Sequence, residues 1–333
     1  MKKCVIIAEA GVNHNGSISL AKKLIDVAKK AGADYVKFQT FKAHSLVTKK
    51  VRVTKYQKVN QPHGSTQYQM LKKYELSYEG HLELINYCKK KKIKFISTAF
   101  DLESLKMLMK FKPKLIKIGS GDINNLPLLK YAASFKIPII FSTGMSNIIE
   151  IKQAIKILNK NGLPKKKITV LQCNTEYPTP FKDVNLRAMV EIKKITSLHV
   201  GYSDHTKGIE AAIAAVALGA TIIEKHFTIN NNLKGPDHKV SLEPIELANL
   251  VKSIRNVELS LGSKLKKITK SEKKNFKLVR RSIVAKKNIK KGDFYSYDNL
   301  TVKRPAFGIS PLKWENIIGK KAKRNFDIDE FIK

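Results

Sequence analysis

Eight short apolar runs recur between residues 4 and 227, and each is followed by a stretch with helical spacing. The runs are CVIIAEA, DYVKFQT, IKFISTAF, LIKIGS, IPIIFSTG, ITVLQCN, HVGYSDH and ATIIEKHF. They are short and rich in apolar and β-branched residues, as strands are. The stretches between them are amphipathic. In SLAKKLIDVAKKAGA, for example, Leu20, Leu24, Val27 and Ala28 share one face. AGAD and LGAT each place a Gly just past the last helical turn, where a left-handed cap is needed. Eight β-α units over roughly 250 residues are what a (β/α)8 TIM barrel requires. An open doubly wound sheet is the alternative. It usually carries a Gly-rich phosphate loop after its first strand, and AEAGVNHNG lacks that spacing.

Almost every run is apolar at its start and chemical at its end. The first exits at Glu9, Asn13 and His14, and the second carries Lys37 and Gln39, two apart and so on one face. The third ends at Ser97 and Thr98. The fourth carries Lys117 and exits at Ser120 and Asp122, and the fifth ends in Ser142, Thr143 and Gly144. The sixth ends at Asn174, Thr175, Glu176 and Tyr177, the seventh at Ser203, Asp204 and His205, and the eighth at Glu224, Lys225 and His226. The loop after the eighth adds Asp237 and His238. In a barrel these ends converge on the face that holds the active site.

His205 and His226 would then project from adjacent strand ends, within reach of one cation. Two imidazoles with open positions filled by water suit Mn²⁺ or a similar divalent ion better than structural zinc. Lys37 and Lys117 sit inside apolar strands and must be paired there. With the hydroxyls of Thr98, Ser120, Ser142 and Ser203 they build a pocket for a phosphate or carboxylate. Glu9 has three readings: general base, partner of a metal-bound water, or structural ion pair. Asp237 is a second candidate acid. Of Glu224 and Lys225, one lines the site and the other forms an ion pair beneath it, in either order. The residues alone thus describe a metal-assisted enzyme acting on a phosphorylated anion with a polar second substrate.

The formal charge of +37 raises nucleic acid as a partner. The excess is almost all Lys, however, spread over the helical stretches. Arg occurs only at Arg52, Arg187, Arg255, Arg280, Arg281, Arg304 and Arg324, and Arg is the residue suited to bidentate base and phosphate recognition. The charge therefore reads as solvated helix faces, and neither nucleic acid nor membrane is an expected partner. The longest apolar stretch, 211–223, is short of the ~18 residues of a membrane helix. Glu9 interrupts the weak signal-peptide likeness of MKKCVIIAEAG, so the expected location is cytoplasmic. Cys4, Cys88 and Cys173 are far apart and form no CxxC pair, which leaves each as a buried free thiol.

One connection, 40–77, is too long for a plain loop and reads as a lid over the strand-exit face. After residue 262 the pattern changes. Residues 1–262 form the expected barrel domain, 263–281 a basic linker or exposed helix, and 282–333 a small β-rich domain with a turn at KKGD.

These stretches resemble the sialic acid synthase family. The motifs are IIAEAGVNHNGS, GADYVKFQTFKA, STAFD, KIGSGD, STGM, CNTEYPTPFKDVNL, GYSDHT, IEKHFT, GPDHKVSLEP, RRSIVAKKNIKKGD and KRPAFGISP, in order over nearly the whole chain. The resemblance implies a barrel followed by an antifreeze-like (SAF) domain. It implies condensation of phosphoenolpyruvate with N-acetylmannosamine to N-acetylneuraminate and phosphate, by C–O cleavage. Legionaminic acid synthases, which use 2,4-diacetamido-2,4,6-trideoxymannose, share most of the motifs and are the alternative. His205 and His226 match the family's ligands for Mn²⁺, with Mg²⁺ or Co²⁺ as substitutes, and Glu9 its catalytic carboxylate. Lys37, Thr98, Lys117, Ser120, Ser142 and Ser203 match phosphoenolpyruvate contacts, joined by Asn174 or Thr175. Gln39, Asp122, Tyr177 and Asp237 match contacts of the N-acetylated amino sugar. Arg304 matches an arginine delivered to the partner's sugar site, which implies a homodimer with exchanged small domains. The family commonly has Glu at Asp122, and Gly-Asn or a similar pair at Ala306 and Phe307. Both departures lie on the sugar side.

Overall fold

The structure, a computed structural model, describes residues 3–52 and 66–333. It divides into two compact units, residues 1–262 and 263–333. The first unit is a closed barrel of eight parallel strands in sequential order. The strands are β1 (Val5–Gly11), β2 (Tyr35–Thr40), β3 (Lys94–Ala99), β4 (Ile116–Ile118), β5 (Ile139–Ser142), β6 (Ile168–Cys173), β7 (His199–Asp204) and β8 (Ile222–His226). The α-helices are α1 (Ile18–Ala31), α2 (Ala43–Leu46), α3 (Gln67–Lys72), α4 (Tyr78–Lys91), α5 (Leu102–Lys110), α6 (Leu126–Ser134), α7 (Ile148–Lys160), α8 (Leu186–Thr196), α9 (Glu210–Ala217) and α10 (Pro244–Ser260). All eight strands and their order agree with the sequence pattern, so the fold is the TIM barrel rather than the open sheet.

Local signals set the helix ends. Ser17, Ser77, Asp101 and Asn147 each accept a backbone N–H in the first turn of the helix that follows, leaving fewer orphan donors. Gly32 ends α1 at φ 85°, a left-handed conformation that a residue with a Cβ resists.

Two-residue alternation sorts the strand side chains. One set, including Ile6, Ala8, Val36, Phe38, Phe141, Val170 and Ile223, joins helix residues such as Leu24, Leu84, Leu129 and Leu250 in one continuous core. The other set points into the barrel. Ile7, Ile96, Ile140, Leu171 and Ile222 form a separate buried cluster, with Val5, Tyr35 and Leu115 packed on it. Two residues beyond most of these comes a polar one on the same face: Glu9, Lys37, Thr98, Lys117, Ser142, Cys173 and Glu224. The barrel is therefore plugged with aliphatic side chains at the strand starts and filled with polar groups at the strand ends. Arg255 of α10 fastens the lower rim, binding Asp34 at 3.0 Å and the Cys4 carbonyl at 2.8 Å.

The middle of the expected lid, residues 53–65, lies outside the described residues. Its described flanks carry α2 and α3, and the Ala43 N–H donates to Glu75 just beyond α3. All three thiols are buried and free. Among the described residues no helix is long and apolar enough to cross a membrane.

In the second unit, α11 (Lys270–Val279) occupies the basic stretch. Strands β9 (Ser282–Ala285) and β10 (Leu300–Lys303) pair antiparallel. Ile283, Ile289, Leu300, Phe326 and Ile332 form their own small core. At the KKGD turn, Gly292 takes φ 96° and Asp293 accepts the Lys290 N–H.

Gly201 on β7 is closely packed inside the barrel. A Cβ there would lie 2.4 Å from the Ile222 carbonyl and 2.6 Å from Leu171 Cδ2. Gly201→Ala is expected to cost about 1–3 kcal/mol through overpacking, read from the urea midpoint of the barrel's unfolding.

Candidate active site

Strand register brings the polar ends together. Glu9 pairs with Lys37 on one side and His226 on the other. Gln39 pairs with Thr98, Thr98 with Lys117, Cys173 with Ser203, and Ser203 with Glu224. These residues line a cavity of about 180 Å³ together with Phe100, Ser120, Ser142, Thr175, Tyr177 and His205. A larger apolar cavity of about 470 Å³ lies by the starts of β3 and β4, lined by Phe95, Leu105, Phe111 and Leu115. Chemistry, not size, marks the smaller one as the site.

At its base lies an ion cluster with almost no solvent contact. Lys37 Nζ is 3.0 Å from Glu9 Oε1 and 3.5 Å from Glu224 Oε1, and Lys117 Nζ is 3.6 Å from the same Glu224 oxygen. Lys37 also donates to Thr98 Oγ1 at 2.9 Å, Lys117 to Ser142 Oγ at 2.7 Å, and Ser203 to Glu224 at 3.1 Å. Two ammonium groups face two carboxylates, so the buried charges balance. Burial opposes each charge, and the neighbours decide the outcome. Lys117 and Lys37 hold the Glu224 carboxyl below its ordinary value despite burial. Burial wins at Glu9, with the Glu224 charge adding to it against Lys37, and lifts its pKa to about 7. Glu224 and Glu9 outweigh burial at Lys37 and keep its ammonium charged, whereas burial lowers the pKa of Lys117. Among the described residues, Oε2 of both glutamates is buried without a hydrogen-bond partner.

The histidines stand above this cluster, their ring centroids 5.5 Å apart. His205 Nδ1 lies 2.5 Å from the Asn174 carbonyl and donates to it, which leaves the lone pair on Nε2. Tyr177 stacks on His205 at 4.1 Å, its hydroxyl 3.0 Å from Nε2. Burial, reinforced by His205, holds His226 well below the ordinary value and therefore neutral, and its Nδ1 is buried without a partner among the described residues. Burial opposes a charge on His205, but Cys173 and the Asn174 carbonyl outweigh it and raise its pKa, so a cation bound there would displace that proton. One imidazole oriented by a backbone carbonyl and one neutral imidazole carrying an orphan nitrogen fit a divalent cation. Among the described residues no group of three or more His, Cys, Asp or Glu is arranged to hold a metal, so this pair leaves most of a coordination shell to other ligands.

Most of the expected residues gather here, with three differences. Asn174 turns its side chain into its own loop, accepting the Glu176 N–H, and Thr175 reaches the cavity wall in its place. Asp122 is buried in a tight turn (Ser120–Asp122) that presents Ser120 to the cavity; Asp122 accepts from Asn125 and lines neither this cavity nor the next. Arg304 is an exposed residue of the second unit. Asp237 and Tyr177 line an adjoining cavity, which shares Gln39, Phe100 and His226 with the first.

The sequence left Glu224 and Lys225 open, and strand alternation orders them. Glu224 shares the inner face with His226. Lys225 faces outward, where its Nζ meets Asp204 Oδ2 at 2.8 Å and the Thr206 carbonyl at 2.6 Å. Period two along IIEKH is the signal that assigns Glu224 to the site. Lys225→Met should cost about 3–5 kcal/mol, because it strands a buried Asp204 charge. Adding Asp204→Asn should recover most of the loss, as urea unfolding of the single and double variants would show.

Comparison with known proteins gives two matches along the chain: the NeuB family over residues 24–266 and the SAF domain over residues 280–333. The N,N'-diacetyllegionaminic acid synthase of Campylobacter jejuni is 52% identical over 333 residues, 100% of both chains. The N,N'-diacetyllegionaminic acid synthase of Legionella pneumophila is 47% identical over 325 residues, 97% of this chain and 91% of its own. The crystal structure of N-acetylneuraminic acid (sialic acid) synthetase from Leptospira borgpetersenii, in complex with citrate, matches at TM-score 0.72 and 36% identity, covering 82% of this chain and 90% of its own.

Proposed function

The chain belongs to the NeuB family, and on that premise we propose that it condenses phosphoenolpyruvate with 2,4-diacetamido-2,4,6-trideoxymannose, giving N,N'-diacetyllegionaminate and phosphate. The observation that carries the reaction type is the enclosed cluster of Lys37, Lys117, Glu9 and Glu224 beside His205 and His226 in one cavity. The acceptor differs from the N-acetylmannosamine expected from the motifs. Two legionaminic acid synthases match essentially the full chain, at clearly higher identity than the sialic acid synthetase. By the resemblance, Ala306 and Phe307, where the chain departs from the family pattern, fall on the sugar side, so the departures bear on the acceptor more than on the reaction type.

Lys37 and Lys117, with the hydroxyls of Thr98, Ser120, Ser142 and Ser203, bind the phosphate and carboxylate of phosphoenolpyruvate. Thr175 completes that wall. His205 and His226 would hold a divalent cation, Mn²⁺ with Mg²⁺ or Co²⁺ as substitutes, which supplies Lewis-acid polarisation of the open-chain acceptor's aldehyde. Gln39, Tyr177 and Asp237 orient that acceptor. The enol C3 of phosphoenolpyruvate attacks the aldehyde carbon, forming the new C–C bond, and positive character develops at C2. Water adds at C2 while Glu9, poised near neutrality by its burial, accepts the water's proton. The tetrahedral centre then breaks its C–O bond and phosphate leaves, so the bridging oxygen departs with phosphorus. The proton held by Glu9 balances the charge of the new alkoxide or of the departing phosphate. In this reading the enzyme works as a homodimer with exchanged small domains, and Arg304 serves the partner's acceptor site.

The acceptor is decided by assaying both sugars with phosphoenolpyruvate and Mn²⁺. The kcat/KM for the diacetamido sugar should exceed that for N-acetylmannosamine by about 10-fold or more. The reverse order would overturn the proposal. His226→Ala should lower phosphate release by at least ~100-fold with the melting temperature little changed. Unaltered turnover in that variant, or in strong chelator, would sink the metal assignment.

A further inference from the structure

The adjoining cavity, about 200 Å³, differs in character from the ion-lined one. Its apolar lining is Val12, Met70, Leu71, Tyr74, Phe100 and Pro236. Val12, Met70 and Tyr74 are buried and pack with Phe41 as a cluster of their own, against which Leu71 and Phe100 rest. This wall is built into the fold. Met70 and Leu71 sit on α3, whose start is pinned by reciprocal hydrogen bonds between Thr66 and Gln69. The polar side of the lining includes Asp237, which is buried and whose carboxylate oxygens make no hydrogen bond among the described residues. The cavity also shares Gln39, Tyr177 and His226 with the site, so one molecule can extend from the histidines into it.

An apolar wall beside a carboxylate acceptor selects for a particular kind of group. It must present an N–H or O–H donor and carry apolar bulk next to it. A hydroxyl meets only the first demand, and a methyl only the second. An acetamido group meets both. We infer that this cavity is the acceptor-selectivity pocket, receiving the C4 acetamido group with its N–H on Asp237 and its methyl, together with the C6 methyl of the sugar, against the wall of Val12, Met70, Leu71 and Tyr74. The inference rests on the proposed condensation and adds which end of the acceptor is read, and by which residues. The C4 hydroxyl of N-acetylmannosamine would still donate to Asp237 but brings no methyl to the wall, and its C6 hydroxyl would meet apolar side chains that do not replace its lost water contacts. An apolar pocket rejects an added hydroxyl by no more than about 100-fold, so preference rather than absolute exclusion is expected.

Leu71 is half-buried, which makes it the position to polarise without emptying the core. In Leu71→Ser, kcat/KM for the diacetamido sugar should fall about 10-fold or more relative to N-acetylmannosamine, chiefly through KM. The KM for phosphoenolpyruvate should move less than about twofold, because its groups sit in the other cavity. Leu71→Met, which keeps an apolar surface, should recover the preference. Saturation-transfer NMR of the diacetamido sugar on the wild-type protein should place the strongest signals on the C4 acetyl and C6 methyl protons. A sugar preference unchanged in Leu71→Ser, or saturation concentrated on the C2 acetyl group, would overturn the inference while leaving the condensation intact. Turnover of N-acetylmannosamine alone by the wild-type protein would instead defeat the acceptor reading itself, before any variant is made.

Discussion

Two lysines and two glutamates lie buried inside one barrel near its strand ends, and the rest of the site depends on their balance. An unpaired charge at that depth would cost several kcal/mol, so Lys37 and Lys117 can be buried only because Glu9 and Glu224 face them. The balance is uneven. Glu224 lies between both lysines and stays ionised, whereas Glu9 has one close cation and is lifted to about 7 by burial. The same four residues thus provide cationic binding groups and, in the proposed reaction, a base near neutrality. Below them the aliphatic plug of Ile7, Ile96, Ile140, Leu171 and Ile222 closes the barrel and keeps the dielectric low.

Two-residue alternation is what lets one short strand do two jobs. On β8, Ile223 and Lys225 serve the wall while Ile222, Glu224 and His226 serve the interior. The outward Lys225–Asp204 pair is structural, and the inward Glu224 is part of the site. Adjacent charged residues in a sequence can therefore have unrelated roles, and register with the neighbouring strand shows which is which.

The side proposed for the acceptor has a different origin. The groups proposed to bind phosphoenolpyruvate come from or next to strand ends and stand in a fixed lattice. The apolar cavity is assembled from α3, from the residue after β1, from the residue after β3 and from the loop carrying Pro236 and Asp237. Loops and short helices vary more readily than barrel strands, so a cavity walled by them can change shape while the strand-end groups keep their places.

The eight-stranded barrel, the small second unit and the gathering of Glu9, Lys37, Thr98, Lys117, Ser142, Ser203, His205 and His226 were legible in the order of residues. Each of these stands at or near the end of a strand whose period is fixed, so its place follows from local spacing once the barrel closes. Folding settled what depends on the paths of loops and on long-range contact. It turned Asn174 away and brought Thr175 in, because the Asn174 amide satisfies its own loop. It left Asp122 outside both cavities and joined Met70 and Leu71 to Asp237, residues that no short-range pattern links. Strand periodicity is a property of neighbouring residues; a cavity between α3 and the loop after β8 is a property of the packed barrel and cannot be read before the chain is folded.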